Sequence, residues 1–217
     1  MSLQTMEVKG EMVTILLVVR HGQTAWNKEE RFRGQTDLPL DETGLRQAQA
    51  TGQYITARYR PNAVLSSPLR RAMQTAEAIC RPLNLTVEPH QGLLDLNFGD
   101  FAGLTIPEAR ARSPEICRAW FSAPHTVRFP GGESLDDVRG RVKELVHYVV
   151  GQHSNQQVVL VTHQVVCRVL FCVLLDLDNR WFWRLRVDTA SVTAYEVDRG
   201  QVTLAFSNDT CHLHALK

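Results

Sequence analysis

The stretch Val13-Thr14-Ile15-Leu16-Leu17-Val18-Val19, which runs straight into Arg20-His21-Gly22, decides the fold. It carries no charge and is rich in β-branched residues, so it suits a strand covered on both faces, the environment of a parallel sheet. Two shorter runs, Ala63-Val64-Leu65 and Val158 to Val161, have the same character. Helical patterns lie between them. Leu45, Ala48, Gly52 and Ile55 recur on one helical face, and Leu69, Ala72, Ala76 and Ile79 do so in the next segment, with Ser67 as N-cap and Pro68 as first helical residue. Leu135, Val138, Val142, Leu145 and Val149 mark a third helix with Ser134 as N-cap and Asp137 in its first turn. Ala190 to Val197 and Val202 to Phe206 flank Asp198-Arg199-Gly200 and read as a hairpin at a sheet edge. Strands alternating with helices predict a three-layer α/β/α sandwich around a mostly parallel sheet.

No repeat, low-complexity tract or linker interrupts the 217 residues, so one domain over 1–217 is expected, with 1–11 as a loose N-terminal extension. Residues 98–133 are less regular and hold Pro107, Pro114, Pro124, Pro130 and several aromatics, which makes them a candidate segment covering a site. The net charge of +1 offers no global field for nucleic acid or an acidic membrane surface. Affinity for an anion must come from a local cluster. The five cysteines include no Cys-x-x-Cys pair and mostly lie among apolar residues, as buried thiols in a reducing compartment do. The tail Cys211-His212-Leu213-His214 is an isolated cluster without convincing ligand spacing, so no metal is expected. The first apolar run follows Glu7 and Glu11 rather than a basic region, and no stretch is long enough to span a bilayer. The expectation is a cytoplasmic protein.

Three apolar strands end in polar residues that can meet a phosphate. The first runs into Arg20-His21-Gly22, the second into Ser66-Ser67-Pro68-Leu69-Arg70-Arg71-Ala72, and the last into Thr162-His163-Gln164. In a parallel sheet the carboxyl ends share one edge, where ligands bind. Arginine matches two phosphate oxygens at once with a planar fork that stays charged. A neutral histidine has a ring nitrogen able to attack phosphorus, which splits the transfer into two steps through a covalent intermediate. Cationic groups around the equatorial oxygens lower the barrier.

Arg20-His21-Gly22-Gln23-Thr24-Ala25-Trp26-Asn27 resembles the signature of the histidine phosphatase superfamily, the phosphoglycerate-mutase-like proteins. The likeness continues through Gly34, Asp37, Pro39-Leu40 and Gly44, through Ser66 to Ala72 with Thr75-Ala76, and through Gly99 and Gly103. It resumes at Pro130-Gly131-Gly132-Glu133-Ser134 with Arg139 and at Thr162-His163. The resemblance implies a phosphoglycerate-mutase-like fold and hydrolysis of small-molecule phosphate monoesters through a phosphohistidine, with no cofactor. It implies His21 as nucleophile, Arg20 and Arg71 as holders of the phosphoryl group, His163 as its stabiliser and Asn27 as a ligand of one phosphoryl oxygen.

The family places a proton-donating glutamate a few residues before the equivalent of Gly99. Here the aligned residue is Asp95, one methylene shorter, or about 1.5 Å of reach. Asp95 is therefore the candidate acid, with its pKa raised by burial, and Asp100 is the substitute. Arg33 stands where the family often has glutamine, and Gln164 where it commonly has glycine. Arg33, Gln164 and Gln23 are candidate substrate-binding residues, Arg33 for a second anionic group. The short stretch between Gly103 and Gly132 favours a phosphatase over a mutase, because family mutases usually carry an insertion there. A noncatalytic phosphate-binding regulator on the same fold is the third reading. The partner expected is a small phosphorylated metabolite, with no nucleic acid and no membrane. A homodimer is a further candidate, with Trp181, Phe182 and Trp183 as packing or oligomer surface.

Overall fold

The structure is a computed structural model that describes residues 13–216. The extension expected over 1–11 lies outside the described residues. In chain order the elements are β1 (Thr14–Arg20), α1 (Ala25–Lys28), α2 (Glu42–Arg58), β2 (Ala63–Ser66), α3 (Arg70–Cys80), β3 (Val87–Pro89) and α4 (Ile106–Arg112). They continue with α5 (Pro114–Ser122), α6 (Leu135–Gln152), β4 (Gln157–Thr162), α7 (Gln164–Leu174), β5 (Val192–Asp198) and β6 (Gln201–Asp209).

The strands form one six-stranded sheet in the order β3-β2-β4-β1-β5-β6. The β3-β2-β4-β1 half is parallel, and β5 and β6 add antiparallel pairings as a hairpin, with β6 at the edge. The turn of that hairpin is Arg199-Gly200, both at positive φ, the backbone a two-residue connection between twisted strands requires.

The uncharged reading of β1 has a direct cause. Leu17 and Val19, with Val64, Val159 and Val161, pack against Tyr54 and Ile55 of α2 and Ala72, Ala76 and Ile79 of α3. Leu16 and Val18, with Leu65, Val158 and Leu160, pack on the opposite face against α6 and α7. Both faces are covered, so no polar residue alternates with the apolar ones. Among the described residues, no helix is long and apolar enough to cross a membrane.

The layering also creates the crevice. After β1 the chain moves to the α2/α3 face, whereas after β4 it enters α7 on the other face. The two adjacent strands thus shed their connections in opposite directions, which opens a cleft at their carboxyl ends.

Two helix expectations need correction. Leu45 does not join the buried face of α2; it is exposed, and Gly44 takes the inward position. A side chain at Gly44 would collide with the Gln23 carbonyl, so the first turn of α2 can lie flat on the segment after His21 only because that position has no Cβ. Helix α3 starts at Arg70, with Leu69 rather than Ser67 at its N-cap. The Ser67 hydroxyl is instead spent on His163 Nε2, 2.7 Å away.

Candidate active site

Strand register sets the floor of the cleft. Arg20 pairs with Thr162, and the next residue, His21, donates its backbone N–H to the Thr162 carbonyl at 2.9 Å. Ser67 N–H donates to the Val161 carbonyl at 2.9 Å. His21, Ser67 and His163 therefore leave the sheet at one level, and the imidazoles lie with ring centroids 5.1 Å apart at 60°.

His21 is 1% exposed. Its Nδ1 is 2.6 Å from the Gly22 carbonyl, which can only accept, so Nδ1 carries the proton and Nε2 keeps its lone pair. Burial, followed by the charges of Arg71, Arg20 and Arg33, holds its pKa well below 6.5. The ring is neutral at neutral pH. His163 is held low by burial and by Arg71 in the same way. Arg71 Nε donates to His163 Nδ1 at 3.1 Å, so the proton of His163 sits on Nε2 and points to Ser67.

Arg71 is completely buried, with its donors spread over the site. Beyond His163, Nη1 donates to the Thr36 carbonyl and Nη2 to the Gly34 carbonyl, each at 2.7 Å, and Nη2 also meets Asp95 Oδ2 at 3.3 Å. It ties His163, Asp95 and the 34–36 loop together, a more constructional place than a plain phosphate clamp. Asp95 is 5% exposed. Burial raises its pKa above the usual 3.8 against the opposing pull of Arg71 and Arg33. Its Oδ1 accepts from the Leu96 N–H at 3.0 Å. Arg141 fixes the segment by donating to the Gly92 carbonyl at 3.0 Å and the Asp95 carbonyl at 3.2 Å, while Glu133 accepts from the Asn97 N–H at 2.8 Å. Gly99, at φ +51°, lets this segment lie against Pro130 where a Cβ would not fit. Asp100 lies apart, half-exposed and paired with Arg112 at 3.4 Å.

Asp95, which meets Arg71, opens onto a cavity of about 320 Å³, whereas His21, Arg71 and His163 are buried and are not among its lining residues. Arg20, Asn27, Arg33, Asp95 and Gln164 line it, so the structure brings those five expected site residues to one place. The Arg20 Nη1 donates to the Val187 carbonyl at 2.7 Å, while its Nε is buried without a partner, and burial with help from Arg33 lowers its pKa to about 9. Arg33 Nε is likewise buried and unpartnered. Asn27 Oδ1 accepts from the Thr24 N–H and hydroxyl at 2.9 and 2.8 Å, which assigns the other end of its amide as the free donor end. Gln23 is not brought in. Its amide donates to Asp41, the N-cap of α2, at 2.9 Å, and it lines no part of the cavity.

The outer wall is aromatic. Phe98, Trp120 and Phe121, with Ile106, come from the 98–133 segment, and Phe182 and Trp183 come from the turn after α7. Three charged lining residues escaped the sequence reading, Glu30, Arg31 and Arg168, the last of which the sequence shows only as an interruption of an apolar helix. The available signal was its spacing, since Arg168 follows Gln164 by four positions and shares its helix face.

Comparisons with known proteins agree with this fold. The profile of the histidine phosphatase superfamily (branch 1) matches residues 16–210. The chain is 36% identical over 198 residues to phosphoserine phosphatase 1 of Hydrogenobacter thermophilus, covering 91% of this chain and 93% of that protein. The solved structure of Bacillus stearothermophilus YhfR superposes with a TM-score of 0.88 at 32% identity, covering 93% of this chain and all of that one. A mycobacterial glucosyl-3-phosphoglycerate phosphatase in complex with VO3 superposes with a TM-score of 0.83 at 32% identity, covering 90% of this chain and 99% of that one. The profile takes in every strand end that builds the floor, and the chain belongs to the histidine phosphatase superfamily.

Proposed function

We propose that this phosphoric monoester hydrolase works in two displacements at phosphorus, with His21 Nε2 as the nucleophile. The observation that carries the proposal is the bond from His21 Nδ1 to the Gly22 carbonyl in a buried, neutral ring, because it leaves Nε2 unprotonated. In the first step Nε2 forms a bond to phosphorus, the bond to the ester oxygen breaks, and protonated Asp95 gives its proton to the departing oxygen. The Gly22 carbonyl accepts from Nδ1–H as positive charge develops on the ring. In the second step the Asp95 carboxylate takes a proton from water, whose oxygen displaces His21 from phosphorus. Phosphate leaves and both groups return to their starting states.

The unpartnered Arg20 Nε and the free end of the Asn27 amide supply donors for the phosphoryl oxygens. Arg71 adds its charge from beneath and holds His163 beside His21, where His163 stabilises the phosphoryl group in transit once its Nε2–H turns from Ser67 to a phosphoryl oxygen. Segment 98–133 closes the site on the solvent side. The substrate class is a small phosphorylated metabolite; the relatives are named for phosphoserine and for glucosyl-3-phosphoglycerate. The five cysteines are free thiols, in keeping with the cytoplasm as its place. A homodimer is part of the proposal, supported by the exposed Trp181, and sedimentation equilibrium would then read twice the 24.5 kDa chain mass.

The test is phosphate release from an aryl phosphate and from phosphoserine, with His21→Ala as the blank. The expected loss in the variant is at least about 10³-fold. Wild-type turnover no greater than that of the variant would favour the noncatalytic binding protein. Isomerisation of 3-phosphoglycerate outpacing its hydrolysis would favour the mutase.

A further inference from the structure

The cavity holds more positive charge than one phosphoryl group can answer. Arg20, Arg31, Arg33 and Arg168 line it, against Glu30 and Asp95. Arg31 is committed to Glu29 and Glu108, Asp95 bonds Arg71, and Glu30 is exposed to solvent, which screens its charge. Three arginines remain, and each buries one N–H donor without a partner: Arg20 Nε, Arg33 Nε and Arg168 Nη1. A phosphate monoester brings about two negative charges near neutral pH. Arg20, beside the nucleophile, and Arg33, which depresses Arg20 most among the neighbouring charges, answer those two. Arg168 is left over.

We infer that the substrate carries a second anionic group on its leaving portion, a carboxylate or a further phosphoryl group, and that Arg168 binds it. The inference rests on the phosphatase reading and deepens it. Arg168 is only 7% exposed, and charged residues this buried are normally paired. No carboxylate pairs with it among the described residues. Its guanidinium lies over the Trp183 ring at 4.5 Å and the Phe182 ring at 5.0 Å, so the faces of the fork meet aromatic carbon. Nε is fixed by the Leu185 carbonyl at 2.9 Å. What remains is a buried Nη1 donor without a partner, on a guanidinium that lines the cavity, and a guanidinium fork suits a carboxylate or phosphate. Burial lowers its pKa to about 10, which leaves it charged at neutral pH.

Placement ties this edge to the reacting centre. Arg20 and Gln164 both donate to the Val187 carbonyl, at 2.7 and 3.4 Å, and Arg168 donates to Leu185 two residues earlier. One short backbone strip therefore aligns three cavity-lining side chains in a row that starts next to His21. The phosphoryl group occupies the Arg20 end and the second anion the Arg168 end.

The test measures kcat/KM on matched pairs: 3-phosphoglycerate against glycerol 1-phosphate for a carboxylate, and fructose 1,6-bisphosphate against fructose 6-phosphate for a second phosphoryl group. Wild-type enzyme is expected to prefer the doubly anionic member of at least one pair. Arg168→Gln should shrink that preference at least tenfold, chiefly through KM, and Arg168→Lys should restore part of it. Which pair responds identifies the anion. The inference is overturned if wild type shows no preference in either pair, if Arg168→Gln leaves the preference intact, or if it slows both members equally, as a packing defect would. Should the glutamine variant fail to fold, the lysine variant carries the comparison, and a preference equal to wild type overturns the inference. Release from no substrate above the His21→Ala blank would instead defeat the phosphatase reading itself.

Discussion

The floor and the wall of the site are built by different means. On the floor, His21 and His163 stand one residue beyond paired strands, and backbone hydrogen bonds of the sheet fix their level. On the wall, Phe98, Trp120 and Phe182, backed by buried Phe129, hold one another through edge and tilted ring contacts at 4.9–5.7 Å. The floor tolerates no drift, because reacting atoms must meet within a fraction of an ångström. The wall needs only shape and dryness. Changes to the floor should therefore fall on chemistry, and changes to the wall on stability and substrate choice.

The strongest break of that contrast is Asp95→Asn. It removes the proton donor while keeping the shape, and turnover should drop about 10²- to 10⁴-fold with phosphate still bound as a competitive inhibitor. Unchanged turnover would remove Asp95 from the floor. Asp95→Glu sharpens the point: if the carboxyl only needs reach, activity survives the added methylene. On the wall, Trp120→Ala should cost about 3–5 kcal/mol in denaturant unfolding, because a nearly buried indole at the centre of the ring cluster disappears. Its kcat on a small aryl phosphate should fall far less than that of Asp95→Asn; an equal fall would erase the distinction between the two regions.

Acid separates the regions next. His21 and His163 have folded-state pKa values well below 6.5, so both are neutral in the fold while the unfolded chain takes up protons near 6.5. Depressed histidines contribute stability that is present above 6.5 and lost as pH falls toward the folded values. The two together should remove about 2 kcal/mol between pH 6.5 and 5.5, read from urea midpoints. Asp95, raised by burial, works in the opposite sense: its contribution is present below its usual 3.8 and lost as pH rises through its folded value, so the histidine loss is read in the Asp95→Asn background. A flat stability profile from pH 6.5 to 5.5 would mean the floor is not closed as described. The smallest effect is expected from EDTA. Arginines supply the positive charge around the phosphoryl group, so chelation should leave kcat unchanged, and a loss restored by a divalent cation would contradict that assignment.

The same contrast explains what the sequence made legible. Arg20, His21 and His163 could be placed at one sheet edge because each follows an apolar run, whereas Arg71 was told from Arg70 only by the family resemblance. The layers followed from the uncharged run of β1 and from the helical spacing of α3 and α6. Strand β3 went unread because it is three residues long and ends in Pro89. The start of α3 was placed early because Ser67 looks like a cap, whereas its hydroxyl serves His163 across the sheet. Gln23 sits inside the signature, yet its side chain turns to Asp41, since nearness in sequence does not fix a rotamer's direction. Arg168 was passed over for the converse reason: its neighbours in α7 are core residues, and only the tertiary cavity shows that its helix face meets Arg20 and Gln164.

The stereochemical course at phosphorus tests the central claim most directly. Hydrolysis of a monoester made chiral with oxygen isotopes passes through two in-line displacements if His21 is phosphorylated, and the inorganic phosphate should emerge with net retention. Inversion would mean that water attacks the substrate in a single step, and the covalent role of His21 would be contradicted.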